Sequence, residues 1–252
     1  MEILKNFLIL FIFLFLLYSC TSPSSPEKEI TSQISSTADT LLTDSLKNLY
    51  YDDAALLAIA DMNKDFLLKD SIHIPNILLD KYYSKLIAVY NAFDIQKAQE
   101  VKSIHNYTAK VMKLFVIGVD TSSQWIKNLI EGSDTSGNAD IDQILSEYNI
   151  NIFSIHNVFN IYHFRFETGF YVNIYPFLQL FENIENILYA EPEVLGGGGN
   201  LISLSKDEDN TILIYSKGWG DCRAGCIYRH YWEFDVNDNL VTFLKEYGDK
   251  IP

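Results

Sequence analysis

Cys222 and Cys226 sit in the segment Gly218-Trp219-Gly220-Asp221-Cys222-Arg223-Ala224-Gly225-Cys226, which runs directly into Ile227-Tyr228-Arg229-His230-Tyr231-Trp232. Cysteines four positions apart across Arg-Ala-Gly can close a small disulfide ring that pins a loop at the mouth of a hairpin, and this is the favoured reading. Cys222, Cys226, His230 and Asp221 could also supply a metal shell, but a lone C-x3-C without a second pair supports zinc weakly. Thiol exchange fits less well still: a thioredoxin-like motif has two intervening residues at a helix start, whereas this one leads into a strand. Trp219, Asp221, Arg229 and His230 are the candidate site residues. On a strand, His230 shares a face with Trp232 and Phe234, as a hydrogen-bonded core histidine or as a general base opening on a pocket. No partner nucleophile is identifiable, so the core reading is preferred. Arg229 falls on the other face with Tyr231, Glu233 and Asp235 and is expected to pair with a carboxylate. The remaining histidines, His73, His105, His156 and His163, show no ligand spacing, although His156 and His163 are candidate cross-strand neighbours. Gly196 to Gly199 lack the lysine of a P-loop and the helix onset of a dinucleotide fingerprint, so no cofactor is expected.

The third cysteine, Cys20, closes a different pattern. Lys5 leads an eleven-residue apolar run, Phe7 to Leu17, which ends in Leu17-Tyr18-Ser19-Cys20. A membrane span needs ~20 apolar residues, so a cleaved signal over residues 1–19 is the better reading. The Leu-Tyr-Ser-Cys ending resembles the lipobox of bacterial lipoproteins. That resemblance implies a mature chain starting at Cys20, a diacylglyceryl thioether on its sulfur and an acyl chain, such as palmitate, on its amino group. Two chains anchor stably where one does not. The implied localisation is a bacterial membrane, facing outside the cytosol, most plausibly the outer membrane with its periplasmic or surface face. With Cys20 lipidated, Cys222 and Cys226 remain as an even pair in a compartment that permits disulfides.

Charge narrows the partners. The 252-residue chain carries a formal net charge of −14, and residues 1–19 hold one acid and one base, so the acidity belongs to the folded part. Such a surface repels phosphate backbones and anionic headgroups, which argues against nucleic acid and leaves the lipid to do the anchoring. Sixteen Tyr and sixteen Phe supply ample material for a core.

Five regions follow from the patterning: the signal 1–19; a Ser/Pro-rich flexible tether 20–37; a mainly helical region 38–111; a ferredoxin-like unit 112–192; and a glycine-rich joint with an antiparallel meander 193–252. In the helical region Asp52 and Asp53 stand at the mouth of an alanine-rich helix near 52–63. A second helix starts at Pro75 and carries Ile77, Leu78, Tyr82, Leu86, Val89 and Tyr90 on one buried stripe to about Asn91. Met112 to Val119 fits a buried strand, Ser123 to Glu131 a helix, and Ile141 to Tyr148 a further short helix. Asn151 to Phe159 and Ile161 to Glu167 read as strands, Asn173 to Phe181 as a helix capped by Asn173, and Asn186 to Glu191 as a strand. That order is a split βαβ arrangement. Gly196 to Gly199 mark a flexible joint, and 211–217, 227–236 and 240–247 are three meander strands that extend or cover the same sheet, with Asn237-Asp238-Asn239 as a turn. The fold class expected is α+β.

The blocks YYDDAALLAIADM, IPNILLDKYYSKLIAVYNAF, Ile104-His105, WIKNLIEG, TSGNADIDQIL, LYAEPEVLGGGGN and GWGDCRAGCIYRHYWEFDV resemble, in order over residues 50–248, an uncharacterised bacterial secreted-protein and lipoprotein family. Arg223 stands where that family's pattern has proline. The resemblance implies no activity. Leu188 to Pro192 is also similar to the closing strand of subtilisin-type propeptides, although a strand stop is the simpler reading. The expected function is a membrane-anchored, non-catalytic binding or interaction module for an unknown protein or small molecule. Two alternatives stand beside it: a metal-dependent or hydrolytic enzyme built on Asp221, Cys222, Cys226 and His230, and a propeptide-like protease inhibitor.

Overall fold

The computed structural model describes residues 30–33, 42–107, 113–193, 197–207, 210–238 and 240–252. The signal segment and Cys20 lie outside the described residues. The fold is α+β, with two antiparallel sheets, each backed by its own helices.

Helix α1 (Asp44–Met62) begins at Thr43, whose hydroxyl accepts from the Leu46 amide at 3.3 Å. This cap sits about two turns upstream of the expected start, so Asp52 and Asp53 are mid-helix residues rather than N-terminal acids. Helix α2 (Asn76–Asn91) follows Pro75 and buries Tyr82, Leu86 and Val89. Ile77, expected on that stripe, is 77% exposed. At about 100° per residue it lies roughly 140° from Tyr82 and 180° from Leu86, so it falls off the stripe. A short helix, α3 (Gln96–Val101), completes the helical region.

These helices back a five-stranded sheet of order β1-β9-β8-β7-β6, formed by β1 (Ile30–Gln33), β6 (Leu201–Asp207), β7 (Asn210–Trp219), β8 (Tyr228–Asn237) and β9 (Leu240–Gly248). The three expected meander strands are β7, β8 and β9, with Asp238 in the left-handed conformation at the last turn. Two strands were not anticipated. The alternation of Ile202 and Leu204 with Ser203 and Ser205 makes β6, and β1 lies within the segment expected to be tether, pairing Ile30 to Phe243 and Gln33 to Leu240. The meander also does not extend or cover the ferredoxin-like sheet. Its inner face, including Leu213, Tyr215, Trp232, Phe234 and Val241, shares one core with Tyr50, Leu57, Met62, Tyr82 and Leu86 of the helices. Those helices present the matching apolar area, which is why the sheet pairs with them.

The split βαβ unit comprises β2 (Leu114–Asp120), α4 (Trp125–Ile130), α5 (Ala139–Glu147), β3 (Asn151–Val158), β4 (Ile161–Glu167), α6 (Ile174–Leu178) with a 3-10 turn through Phe181, and β5 (Ile187–Pro192). Its antiparallel strand order, β3-β4-β2-β5, is the ferredoxin-like one. Met112, expected to open its first strand, lies outside the described residues. Phe115, Ile117, Val119, Phe164 and Phe166 face Ile126, Leu129, Ile141, Phe177 and Phe181 in a second core. Asn173 precedes α6 but its side chain does not cap it: Nδ2 donates to the Lys69 carbonyl at 3.1 Å, and the backbone amide to the Ile72 carbonyl at 2.8 Å. Those bonds tie this unit to the segment between α1 and α2, and the Tyr171 hydroxyl, donating to Asp52 at 2.5 Å, ties it to α1 itself.

Candidate functional site

The β7–β8 loop carries the Cys222–Cys226 disulfide. Within it the Cys222 amide donates to the Gly220 carbonyl at 2.9 Å, and the Ala224 amide to that of Asp221 at 3.3 Å. The loop rests on the glycine-rich segment. The Gly198 amide donates to the Cys222 carbonyl at 2.5 Å, a Cβ on Gly198 would stand 2.9 Å from the Cys226 nitrogen, and one on Gly197 would stand 2.6 Å from the Cys222 oxygen. Gly197 and Gly198 therefore serve close backbone packing, which corrects their reading as a flexible joint. The disulfide closes a short ring, and its loss through the double change Cys222→Ala, Cys226→Ala is expected to cost about 2 kcal/mol. Thermal unfolding with and without a reductant checks this: an oxidised wild type no more stable than the double variant would refute it.

The four candidate residues do not converge. Asp221 is exposed on the loop, and Trp219 stacks on Tyr228 with ring centroids 5.9 Å apart. Arg229 and His230 project from opposite faces of β8. Arg229 Nη1 donates to Ser216 Oγ at 2.9 Å, rather than to the carboxylate expected as its partner from the sequence, while its backbone amide donates to the Asp249 carboxylate at 2.8 Å. His230 lies edge-on to Trp232, centroids 4.6 Å apart, and its Nδ1 is 2.8 Å from the Asp249 carbonyl. A carbonyl can only accept, so Nδ1 carries a proton. His230 is thus hydrogen-bonded on the Trp232 side of β8 but only partly buried rather than a core residue, with Nε2 3.6 Å from Glu246, beyond hydrogen-bond length.

Glu246 belongs to a polar link between α3 and the meander. Lys97 Nζ lies 2.8 Å from Glu246 and 3.2 Å from Glu100, and Glu100 accepts from Trp232 Nε1 at 3.3 Å. The Lys97 ammonium holds the Glu246 carboxyl below the usual carboxylate range, with His230 adding to the effect. A depressed folded-state pKa gives stability that is present above the unfolded value and lost as pH falls through the folded one. Lys97→Met is expected to return the Glu246 titration upward toward its ordinary value. A carboxyl-carbon NMR titration that does not move would refute the link.

The most heavily bonded buried group escaped the sequence reading. Asp53 is fully buried; its Oδ1 accepts from the Asn106 amide at 2.7 Å and from Asn106 Nδ2 at 2.9 Å, and Oδ2 lies 2.7 Å from His105 Nδ1. Asn106 Oδ1 in turn accepts from the Ile202 amide at 2.8 Å. One carboxylate thereby joins α1, the segment after α3 and β6. The available signal was positional: Tyr50 and Leu57 flank Asp53 at helical spacing, so a helix begun earlier buries it.

On the helix-free face of the four-stranded sheet, His156 and His163 are direct cross-strand partners, as expected. His163 pairs with Gly118, and Gly118 with Tyr189. A Cβ on Gly118 would stand 2.0 Å from the Tyr189 ring, so the missing side chain lets that ring lie across the strand and reach His163 Nδ1 through its hydroxyl. Beside this row Arg165 forms a two-pronged pair with Glu193 and covers the Phe153 ring at 4.9 Å. Among the described residues no three His, Cys, Asp or Glu side chains gather as a metal shell, and no helix is long and apolar enough to cross a membrane.

Fold and site together define an α+β protein in which a ferredoxin-like sheet stands beside a helix-backed meander clasped by a disulfide loop. Comparison with known protein families, with curated proteins and with solved structures finds no match to this chain.

Proposed function

We propose that the chain is a lipid-anchored binding module held outside the cytosol on Cys20, without catalysis of its own. The observation that carries the non-catalytic part is the dispersal of Trp219, Asp221, Arg229 and His230. Arg229 is engaged by Ser216 and His230 by the Asp249 carbonyl on opposite faces of one strand, and both cysteine sulfurs are joined to each other. An enzyme or metal site built on that region needs those groups turned to a common point. The anchoring part rests on the residues themselves, a basic start, an eleven-residue apolar run and Leu-Tyr-Ser-Cys. Expression in a bacterium fed an alkyne-bearing palmitate tests it. Label and membrane sedimentation are expected in the wild type and lost in Cys20→Ser, and a Cys20→Ser protein that still carries label would remove the proposal.

A further inference from the structure

The connection between α1 and α2 turns apolar side chains outward. Among the described residues the four most exposed large apolar side chains are Phe159, Leu67, Phe66 and Ile77, and the last three, 85%, 82% and 77% exposed, all stand at this connection. The segment is well held all the same. Leu68 and Leu78 pack against the core, the Leu67 amide donates to Asp65 Oδ1 at 2.8 Å, the Lys69 amide donates to the Asp65 carbonyl at 2.9 Å, and Asn173 grips the Lys69 carbonyl from the other unit. A turn fixed in this way keeps two adjacent apolar side chains in water, a cost that an apolar partner removes.

Two side chains protruding at a turn offer too little area for a stable protein interface, which takes ~800 Å² from each partner, whereas a lipid phase needs no matching surface. Charge favours the lipid. Lys64 and Lys69 flank the pair and offset the exposed acids Asp65 and Asp70, so the turn is locally neutral on a chain of net charge −14. Lys69 Nζ stands 5.3 Å from the centre of the Phe66 ring, and an aromatic body beside an ammonium suits the boundary between acyl chains and headgroups. Reach agrees as well. Ten residues separate Cys20 from Ile30 of β1 and can span up to ~36 Å, more than the ~33 Å of the ten-residue β8, so a lipid on Cys20 lets either end of the five-stranded sheet meet the bilayer. The connection lies at one such end. Lys85 of α2 binds the Val236 carbonyl at the β8–β9 turn, whereas α3, past the other end of α2, bonds Trp232 and Glu246 deeper in the sheet. Burying one such side chain is worth about ten- to a hundredfold in partitioning, too little to hold a free protein but enough once an anchor keeps it at the surface.

We propose that Phe66 and Leu67, with Ile77 at the same end, form a second membrane contact that dips into the interface of the bilayer to which Cys20 ties the chain. The inference rests on the lipid-anchor reading and adds which end of the folded chain turns to the membrane. The test uses the full-length chain, made in a bacterium fed alkyne-bearing palmitate and radiolabelled phosphate. The photoreactive p-benzoylphenylalanine replaces Leu67 or, as a control, Phe159, which is 95% exposed on the β3–β4 turn. Palmitate label is read before irradiation and phospholipid adducts after it. Position 67 is expected to take up phospholipid at least about fivefold above the control, and Phe66→Asp, a change at an exposed residue, to cut that uptake about tenfold. Equal uptake at the two positions, uptake indifferent to Phe66→Asp, or a crosslink from position 67 to a protein in place of lipid would overturn the contact. Phospholipid uptake at position 67 in a chain without palmitate would overturn the anchor alone; palmitate without that uptake would overturn the contact alone, and the absence of both would overturn both.

Discussion

Asp53→Ala is expected to lower the free energy of unfolding by about 3–5 kcal/mol, because it removes one partner of a buried charged cluster and strands the others. The Asn106 amide and side chain and His105 Nδ1 lose their acceptor at once, inside the core shared by the helices and the meander. Asp53→Asn keeps one carbonyl oxygen for Asn106 but faces His105 with an amino group, so its loss should be smaller. The order wild type, Asn, Ala in urea midpoints, with unchanged denaturant slope, is the expected result. A shift below about 1 kcal/mol for Asp53→Ala would mean that the cluster is an incidental contact.

The second large effect is expected at Phe115→Ala, at about 3–5 kcal/mol from lost burial and the cavity left behind. Phe115 is fully buried, and its ring meets Phe166, Phe177 and Phe181 at centroid distances of 5.2, 5.1 and 5.5 Å. It is the point where the central strand touches both the neighbouring strand and the α6 region. Hydrogen exchange separates the two predictions by location. Phe115→Ala should raise exchange first in β2 and β4, and Asp53→Ala first in α1 and β6, because the residues belong to different cores. Equal loss of protection across both sheets in either variant would show that the bonds from Tyr171 and Asn173 make the two cores a single cooperative unit.

Phe115 and Asp53 also mark how far the sequence could be read. The run Leu114 to Val119 is apolar, branched and short, and Phe164 and Phe166 alternate with polar neighbours, so periodicity alone places them on an inner face. His156 opposite His163 followed from the same register logic, since a tight connection at Phe159 and Asn160 fixes which residues meet. Asp53 resisted that approach. Two adjacent acids before an alanine-rich run look like a helix start, and only the Thr43 cap upstream moves them into the interior. Its partners stand about fifty residues away in sequence, a separation across which local pattern carries no information.

The candidate site divides along the same line. The cysteine pair was legible because four-residue spacing and neighbouring glycines constrain a loop locally. Three features were not: the partners that Arg229 and His230 find in Ser216 and Asp249, the docking of that loop on Gly197 and Gly198, and the pairing of Ile30–Gln33 with β9. Each depends on segments distant in the chain meeting at angles set by packing. The sequence by itself determined the α+β class, the ferredoxin-like strand order and the core residues of β2 and β4, because period, turn chemistry and short spacing are local properties. Only the tertiary structure decided that the meander joins the helices, that Asp53 is interior and that Phe66 and Leu67 stand exposed, because burial and hydrogen-bond satisfaction belong to the assembled chain.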